Sequence, residues 1–451
     1  MNHADAITYL LSLERLGIKF GLENIEGLAQ ELGHPERSYR SILVAGTNGK
    51  GSTAALLESI LRSAGYCTGR YTSPHLVRLE ERMMVAGELI SAEELASVVE
   101  MVGDAATRLR KRQKLLTEPT FFEVTTACAY EFFRRKGAEV AVLEVGMGGR
   151  WDATNIVPAS MTIITRIGLD HELFLGDTLE AIASEKAATI KPGHPVVVGF
   201  LGRETLEVVR LEAERQGSPL FETEKETRVE AETVNGKQKV RLVTPEAVYD
   251  ELLLPLLGTH QVENLAVAVR AAEISSSFGL AVSPEAVRSG VSDTQWEARL
   301  ERVGSCPSLL IDSAHNPLGA AALARYLASQ PHHHRVLLFA LMDDKSIPGI
   351  LEPLLPHVRA VVATRPPNRR AKNPQSVVDW AIGNSLAAEA IEPTDRALAR
   401  ARELAGKEGE VIVAGSTFLA GEVKQILAEE LRTQNSELSR GRIPIKDTDD
   451  R

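Results

Sequence analysis

The chain has 451 residues, of which 44% are hydrophobic and 25% charged, and a formal net charge of −10. That length suggests two domains, or three, and the composition is that of an ordinary globular protein rather than a disordered chain. The acidic total argues against general nucleic-acid binding, though a local cluster of positive groups can still hold an anionic ligand.

Cys67, Cys128 and Cys306 lie far apart and form no C-x-x-C pair, so neither a zinc knuckle nor a disulfide framework is expected. Reduced thiols in a cytoplasmic protein are expected instead. No signal-peptide pattern opens the chain and no apolar run has the length of a bilayer span. The expected partners therefore exclude membrane and nucleic acid.

In chain order, ADAITYLLSLERLG and LENIEGLAQELG read as helices, the second stopping at Gly33. SILVA (41–45) is a short apolar strand, the loop around Gly46 follows, and STAALLESILRSAG continues as a helix. CTGRY is a strand segment, and PTFFEVTTACAYEFFRRKG contains a helix. AEVAVLEVG is too apolar to alternate, as buried parallel strands are. SMTIITRIG and PVVVGF are further strands, with helices at LEAIASEKAATI and ETLEVVRLEAERQG. VEAETVNGKQKVRLV alternates around Asn235-Gly236 and predicts an antiparallel hairpin. HQVENLAVAVRAAEISSSFG is a long helix expected to close the first domain. The pattern then restarts with SLLIDSAHNP, VLLFALM, RAVVATR and EVIVAGS as strands and helical segments between them.

Both halves are therefore expected to be α/β with mostly parallel sheets. The larger, residues 1–295, would hold a P-loop-type parallel sheet. Residues 296–432 would form a smaller Rossmann-like domain. The polar stretch 433–451 is expected to be a disordered tail, and His332–His334 a surface loop rather than a metal site.

The stretch VAGTNGKGST carries the first chemical signal. Glycines 46, 49 and 51 let backbone N–H groups approach a polyanion, and the helix that follows points its positive end at the same place. Lys50 adds a full charge, and Ser52 or Thr53 could cap the helix, touch phosphate or hold Mg²⁺. The hydroxyl does not directly follow the lysine as it does in G-x-x-x-x-G-K-[ST]. Other strand ends supply oxygen and nitrogen ligands: Ser73 in TSPH, Glu144 before Gly146-Met147-Gly148-Gly149, and His171 after Asp170. Lys186, in SEKAAT, reads by composition alone as a solvated helix lysine. In the second half, DSAHNP places Asp312 and His315 at a strand end, and Arg299 lies at the domain joint.

Together GIKFGLENI, VAGTNGKGST, TSPHLVRLEERM, PTFFEVTTA, EVGMGGRWDATN, IGLDHELFLGDTLEAIASEKA, HQVENLAVA, RLERV, DSAHNP and GSTFLAGE resemble, in order, the bifunctional folylpolyglutamate synthase/dihydrofolate synthase family within the Mur ligase superfamily. The resemblance runs from about residue 17 to residue 421 and implies the T-x-G-K-G-S nucleotide loop at Thr47, Asn48, Gly49, Lys50, Gly51 and Ser52. It implies further ATP contacts at Asn264, Arg299 and Asp312, the last two from across the domain joint. Mg²⁺, as two ions, would have Ser73, Glu144 and His171 as ligands, with Lys186 as a CO₂-derived carbamate. Thr120, Asp152 and Ala153 match positions near the pterin; His315 and Ser416 match positions near glutamate. A monovalent cation is a further candidate, and a monomer is expected.

The implied reaction makes an acyl phosphate from ATP and a carboxylate, on which L-glutamate then displaces phosphate. The acceptors would be 7,8-dihydropteroate and reduced folyl-(γ-Glu)n, and domain closure would exclude water. The alternatives are the second activity alone, another Mur-type amino-acid ligase, or a non-catalytic ATP binder. Departures from the family pattern are Met147 for leucine, Ser313 for glycine, Trp296-Glu297-Ala298 for W-P-G, and Ala188-Thr189 for A-G.

Overall fold

The structure is a computed structural model that describes residues 1–440 apart from Ile18, Leu116, Ser305, His332 and His333. It divides into two units: Met1–Leu300 with Asn316–Ala322, and Glu301–His315 with Leu323 onward.

The first unit is built on eight strands: β1 Arg40–Ala45, β2 Thr68–Tyr71, β3 Met83–Val85, β4 Glu88–Leu89, β5 Val140–Glu144, β6 Met161–Ile164, β7 Val196–Val198 and β8 Leu220–Glu222. Their order is β4-β3-β2-β5-β1-β6-β7-β8. Strands β2, β5, β1, β6, β7 and β8 are parallel, while β3 and β4 form an antiparallel edge. Strands β1 and β5 are buried almost throughout, which explains their unbroken apolar runs. β1 lies between β5 and β6, with Val44 opposite Glu144 and Ala45 opposite Ile164. The loops leaving these three strands therefore emerge side by side, at the point where the chain order reverses, which is where ligands bind in open α/β sheets.

Helices His3–Leu13, Glu23–Glu31, Ala92–Lys111 and Phe121–Arg135 pack in one core, and Lys50–Ser63, Thr259–Ile274 and Pro284–Ser292 in another. The predicted hairpin is present as β9 Arg228–Val234 and β10 Lys237–Val243, joined by β11 Val248–Leu254 in a three-stranded antiparallel sheet. Helix Thr259–Ile274 does not close the unit, because Pro284–Ser292 follows it.

The second unit has strands β12 Glu301–Val303, β13 Ser308–Ile311, β14 Arg335–Phe339, β15 Ala360–Ala363, β16 Ala387–Ala390 and β17 Glu410–Ala414. They run in the order β12-β13-β17-β14-β15-β16, with only β12 antiparallel. The last helix, Thr417–Arg440, corrects the expectation of a tail starting at 433. A polar segment that extends an existing helix avoids the cost of nucleation; residues 441–451 lie outside the described residues. So do two members of the His332–His334 triplet; His334 is exposed just before β14. No helix among the described residues is long and apolar enough to cross a membrane.

Candidate active site

The loop after β1 is held by the segment leaving β6. The Thr47 and Asn48 N–H groups both donate to the Arg166 carbonyl, at 2.8 and 3.2 Å. Thr47 Oγ1 donates to the Gly168 carbonyl at 3.0 Å, and Thr165 Oγ1 donates to the Asn48 carbonyl at 2.8 Å. Gly49 takes φ +89° and is the N-cap of helix Lys50–Ser63, and a Cβ there would lie 2.3 Å from Asn264 Oδ1. The loop backbone is thus in a shape that needs glycine, with Asn264 against it. Lys50 opens the helix and its Nζ donates to the Thr47 carbonyl at 3.1 Å. Ser52 and Thr53 are buried in the first turn.

Glu144, at the end of β5, is buried, and its Oε2 accepts the Ser73 N–H at 3.0 Å. Burial raises its pKa, while Lys50, the Ser73 N–H, Arg299 and Arg82 pull it down. Such a carboxylate is costly to hold without a cation. A carboxylate and a hydroxyl such as that of Ser73 are oxygen donors of the kind Mg²⁺ takes, and that ion needs only one or two protein carboxylates. His171 has a left-handed φ of 53°, and its Nε2 lies 4.0 Å from Asp170 Oδ1. Among the described residues no group of three or more His, Cys, Asp or Glu side chains could hold a metal by itself.

Lys186 departs most from its composition-based reading. It is 4% exposed, and its Nζ donates to the Gly46 carbonyl at 2.9 Å. Burial, with the nearby charge of Lys50, lowers its pKa to about 7. Its helix, Leu179–Ala187, packs against the glycine turn after β5, where a Cβ on Gly149 would lie 2.4 Å from the Glu185 carbonyl oxygen. Arg150 N–H donates to the same carbonyl at 3.1 Å. Just beyond the helix, Lys191 Nζ donates to the carbonyl and side-chain oxygens of Asn155 at 2.6 and 2.8 Å.

The three residues matched to the pterin are engaged in local structure. Thr120 caps helix Phe121–Arg135: its Oγ1 accepts the Glu123 N–H, while Glu123 accepts the Thr120 N–H at 2.7 Å. Asp152 accepts the Met147 N–H at 2.9 Å and the Thr154 N–H and hydroxyl at 3.0 and 2.6 Å. The Ala153 carbonyl accepts the Tyr130 hydroxyl at 3.0 Å.

Arg299 Nη1 donates to the Ala298 carbonyl at 2.9 Å. Ala298, where the family pattern has glycine, takes φ +52°, the left-handed region glycine favours. In the second unit, Asp312 and His315 follow β13, and Ser416 follows the adjacent β17. Gly415 N–H donates to the Ala314 carbonyl at 2.8 Å and joins the two loops. Asp312 Oδ1 accepts the Ala314 N–H at 2.8 Å, and His315 Nδ1 donates to the Ser313 carbonyl at 2.8 Å. Ser416 is buried, and its Oγ accepts the Phe418 N–H at 3.1 Å.

Comparison with known proteins decides the family. The Mur ligase middle domain matches residues 44–272, and the Mur ligase glutamate ligase domain matches residues 298–417. The dihydrofolate synthase/folylpolyglutamate synthase of Bacillus subtilis (strain 168) is 37% identical over 357 residues, covering 78% of this chain and 82% of its own. The chain belongs to the dihydrofolate synthase/folylpolyglutamate synthase family. Among solved structures of this family, Mycobacterium tuberculosis folylpolyglutamate synthase complexed with ADP superposes with a TM-score of 0.86 at 33% identity, covering 93% of this chain and 98% of that one. Escherichia coli FolC in complex with DHPP and ADP gives 0.84 at 30% identity, covering 95% and 98%. As a dihydrofolate synthase/folylpolyglutamate synthase family member, the protein is an ATP-dependent ligase.

Three side chains near Glu144 or the glycine loop, Arg82, Trp296 and Arg70, had no role in the sequence reading. Arg82 is buried, lies 5.0 Å over the Phe121 ring, and donates from Nε to His75 Nδ1 at 2.9 Å. Burial and then Arg82 push His75 down to about 4, so it accepts that bond as a neutral ring. Trp296 covers Gly51, where a Cβ would lie 2.6 Å from its Cζ2, and Arg70 stacks 5.0 Å from the Trp296 ring. Arg82 stands inside TSPHLVRLEERM, so its position was visible but its direction was not.

Proposed function

We propose that this ligase joins L-glutamate to 7,8-dihydropteroate, giving dihydrofolate, and to the γ-carboxyl of reduced folyl-(γ-Glu)n, lengthening its tail. The observation that carries the reading is the buried amine of Lys186, held near neutrality and bonded to the nucleotide loop at Gly46. A protein that only bound ATP would have no use for a costly buried amine at that point.

A carboxylate is a poor acyl donor because its leaving group would be oxide. In the proposed reaction a carboxylate oxygen attacks the γ-phosphorus of ATP, ADP leaves, and an acyl phosphate forms. The amine of glutamate attacks the acyl carbon, loses a proton, and expels inorganic phosphate. Thr47–Ser52 would direct N–H groups and the helix dipole at the nucleotide phosphates, and Lys50 would neutralise charge on the transferred group. Asn264, Arg299 and Asp312 would bind the nucleotide. His315 and Ser416 would receive glutamate, and Thr120, Asp152 and Ala153 would border the pterin.

Glu144, Ser73 and His171 would hold Mg²⁺, which would supply positive charge that favours phosphoryl transfer. Lys186 would take up CO₂ as its neutral amine, release a proton, and present a carbamate oxygen as a further ligand. The enzyme would work as a cytoplasmic monomer.

Product analysis tests this reading, with 7,8-dihydropteroate and methylenetetrahydrofolate offered separately, each with ATP, Mg²⁺ and glutamate. Both should yield ADP and a new glutamyl product. Product from the folate alone would restrict the enzyme to tail extension; ADP release with neither would refute the proposal.

A further inference from the structure

The second unit carries a charged stretch that the proposed reaction does not use. Residues 364–378 contain four cations, Arg365, Arg369, Arg370 and Lys372, and no acid, in a chain whose net charge is −10. Arg365, Arg369 and Arg370 are exposed and form no ion pair among the described residues. Arg335, Arg400 and Arg402 of the same unit are paired, with Glu410 at 3.1 Å, Glu389 at 2.8 Å and Glu430 at 2.7 Å, whereas Arg325, Arg359 and Arg396 are exposed and, like the loop arginines, form no ion pair among the described residues.

The stretch is pinned to the loop leaving β14. Asp343 N–H donates to the Arg370 carbonyl and Lys372 N–H to the Leu341 carbonyl, both at 2.8 Å. Lys372 Nζ donates to the Asp343 carbonyl at 2.9 Å, and Arg370 N–H to Asn368 Oδ1 at 2.9 Å. Helix Pro374–Gly383 starts immediately afterwards, so its positive end adds to the same region.

Strand order relates this stretch to the candidate glutamate residues. It follows β15, two strands from β17 and three from β13. At about 4.8 Å per strand these separations are roughly 10 and 14 Å, along the carboxyl edge that carries Ser416, Asp312 and His315. Guanidinium groups pair bidentately with carboxylates, and arginines spread along a loop suit a row of carboxylates better than one compact anion. A γ-linked glutamyl unit carries one free α-carboxylate. It spans five chain atoms against three for an α-linked residue, or roughly 6 Å. About two such units cover the separation.

We propose that the loop Arg365–Lys372 is a subsite for the carboxylates of a γ-linked oligoglutamate tail, so that substrate affinity rises with tail length. The proposal rests on the reading of the chain as a folate–glutamate ligase. The test compares wild type with the triple variant Arg365→Ser, Arg369→Ser, Arg370→Ser, all at exposed positions. Calorimetric titration with free γ-linked pentaglutamate should show binding that is about tenfold weaker in the variant and weakens with salt. Kinetics with folyl mono-, tri- and pentaglutamate should show a KM that falls with tail length in wild type but not in the variant, with kcat and the KM for dihydropteroate unchanged.

Equal pentaglutamate binding by both proteins, or the same tail-length dependence in both, overturns the subsite. So does binding of tripolyphosphate without binding of pentaglutamate. The titration needs no turnover, so its failure is distinct from failure of the ligase reading, which shows as no ADP release by wild type.

Discussion

Lys186 illustrates what burial does to a single residue. In an unfolded chain its pKa would be near 10.4; in the fold it is about 7. Between those values the unfolded chain binds one more proton, so stability rises with pH from about 7 to 10. Below pH 7 both states are protonated and the full cost is present. At 1.36 kcal/mol per unit this cost is about 5 kcal/mol, less about 1 kcal/mol for the bond to Gly46. Lys186→Met should therefore be more stable than wild type by about 4 kcal/mol at pH 6 and by little at pH 10, in urea denaturation without CO₂, metal or nucleotide. It should also be inactive. Equal stability at pH 6 would mean that the amine is hydrated. The sequence places Lys186 on a helix but cannot show its burial, because what encloses it are the glycine turn at 146–149 and the Gly46 carbonyl, both distant in sequence. The placements of Arg82 and Trp296 are hidden in the sequence for the same reason: their partners, His75, Phe121 and Gly51, are chosen by the fold.

Elements were more legible than side-chain directions. Strands β1, β5 and β6 and helix Lys50–Ser63 follow from apolar runs and a glycine loop, and the hairpin follows from Asn235-Gly236. Helix Ala92–Lys111 has a readable start, since Ser91 and Glu94 form a capping box. The same signature at Thr120 and Glu123 gives Thr120 a structural duty whatever it does for the pterin. Thr120→Ala should cost about 1 kcal/mol in chemical denaturation, and Thr120→Ser much less. If Thr120→Ala left stability untouched, the cap would carry no weight, and any lost activity would be a direct substrate effect. The helix running to Arg440 was missed because its last turns are polar, and polarity alone does not separate a helix extension from an unstructured tail.

For the whole molecule, the two α/β units and the family were legible because the motifs occur in order along most of the chain, and the fold sets several of them at adjacent strand ends. The glycine loop at 46–51, Glu144 and the Thr165–Asp170 segment leave three neighbouring strands of one sheet; Asp312, His315 and Ser416 leave two neighbouring strands of the other. In the proposed reaction the carboxylate is activated by phosphoryl transfer. Dihydropteroate labelled with ¹⁸O in its carboxyl group tests this directly. After one turnover with ATP, Mg²⁺ and glutamate, the inorganic phosphate should carry one ¹⁸O atom, handed over when the amine expels phosphate from the acyl carbon. Unlabelled phosphate, or label recovered in AMP, would contradict it.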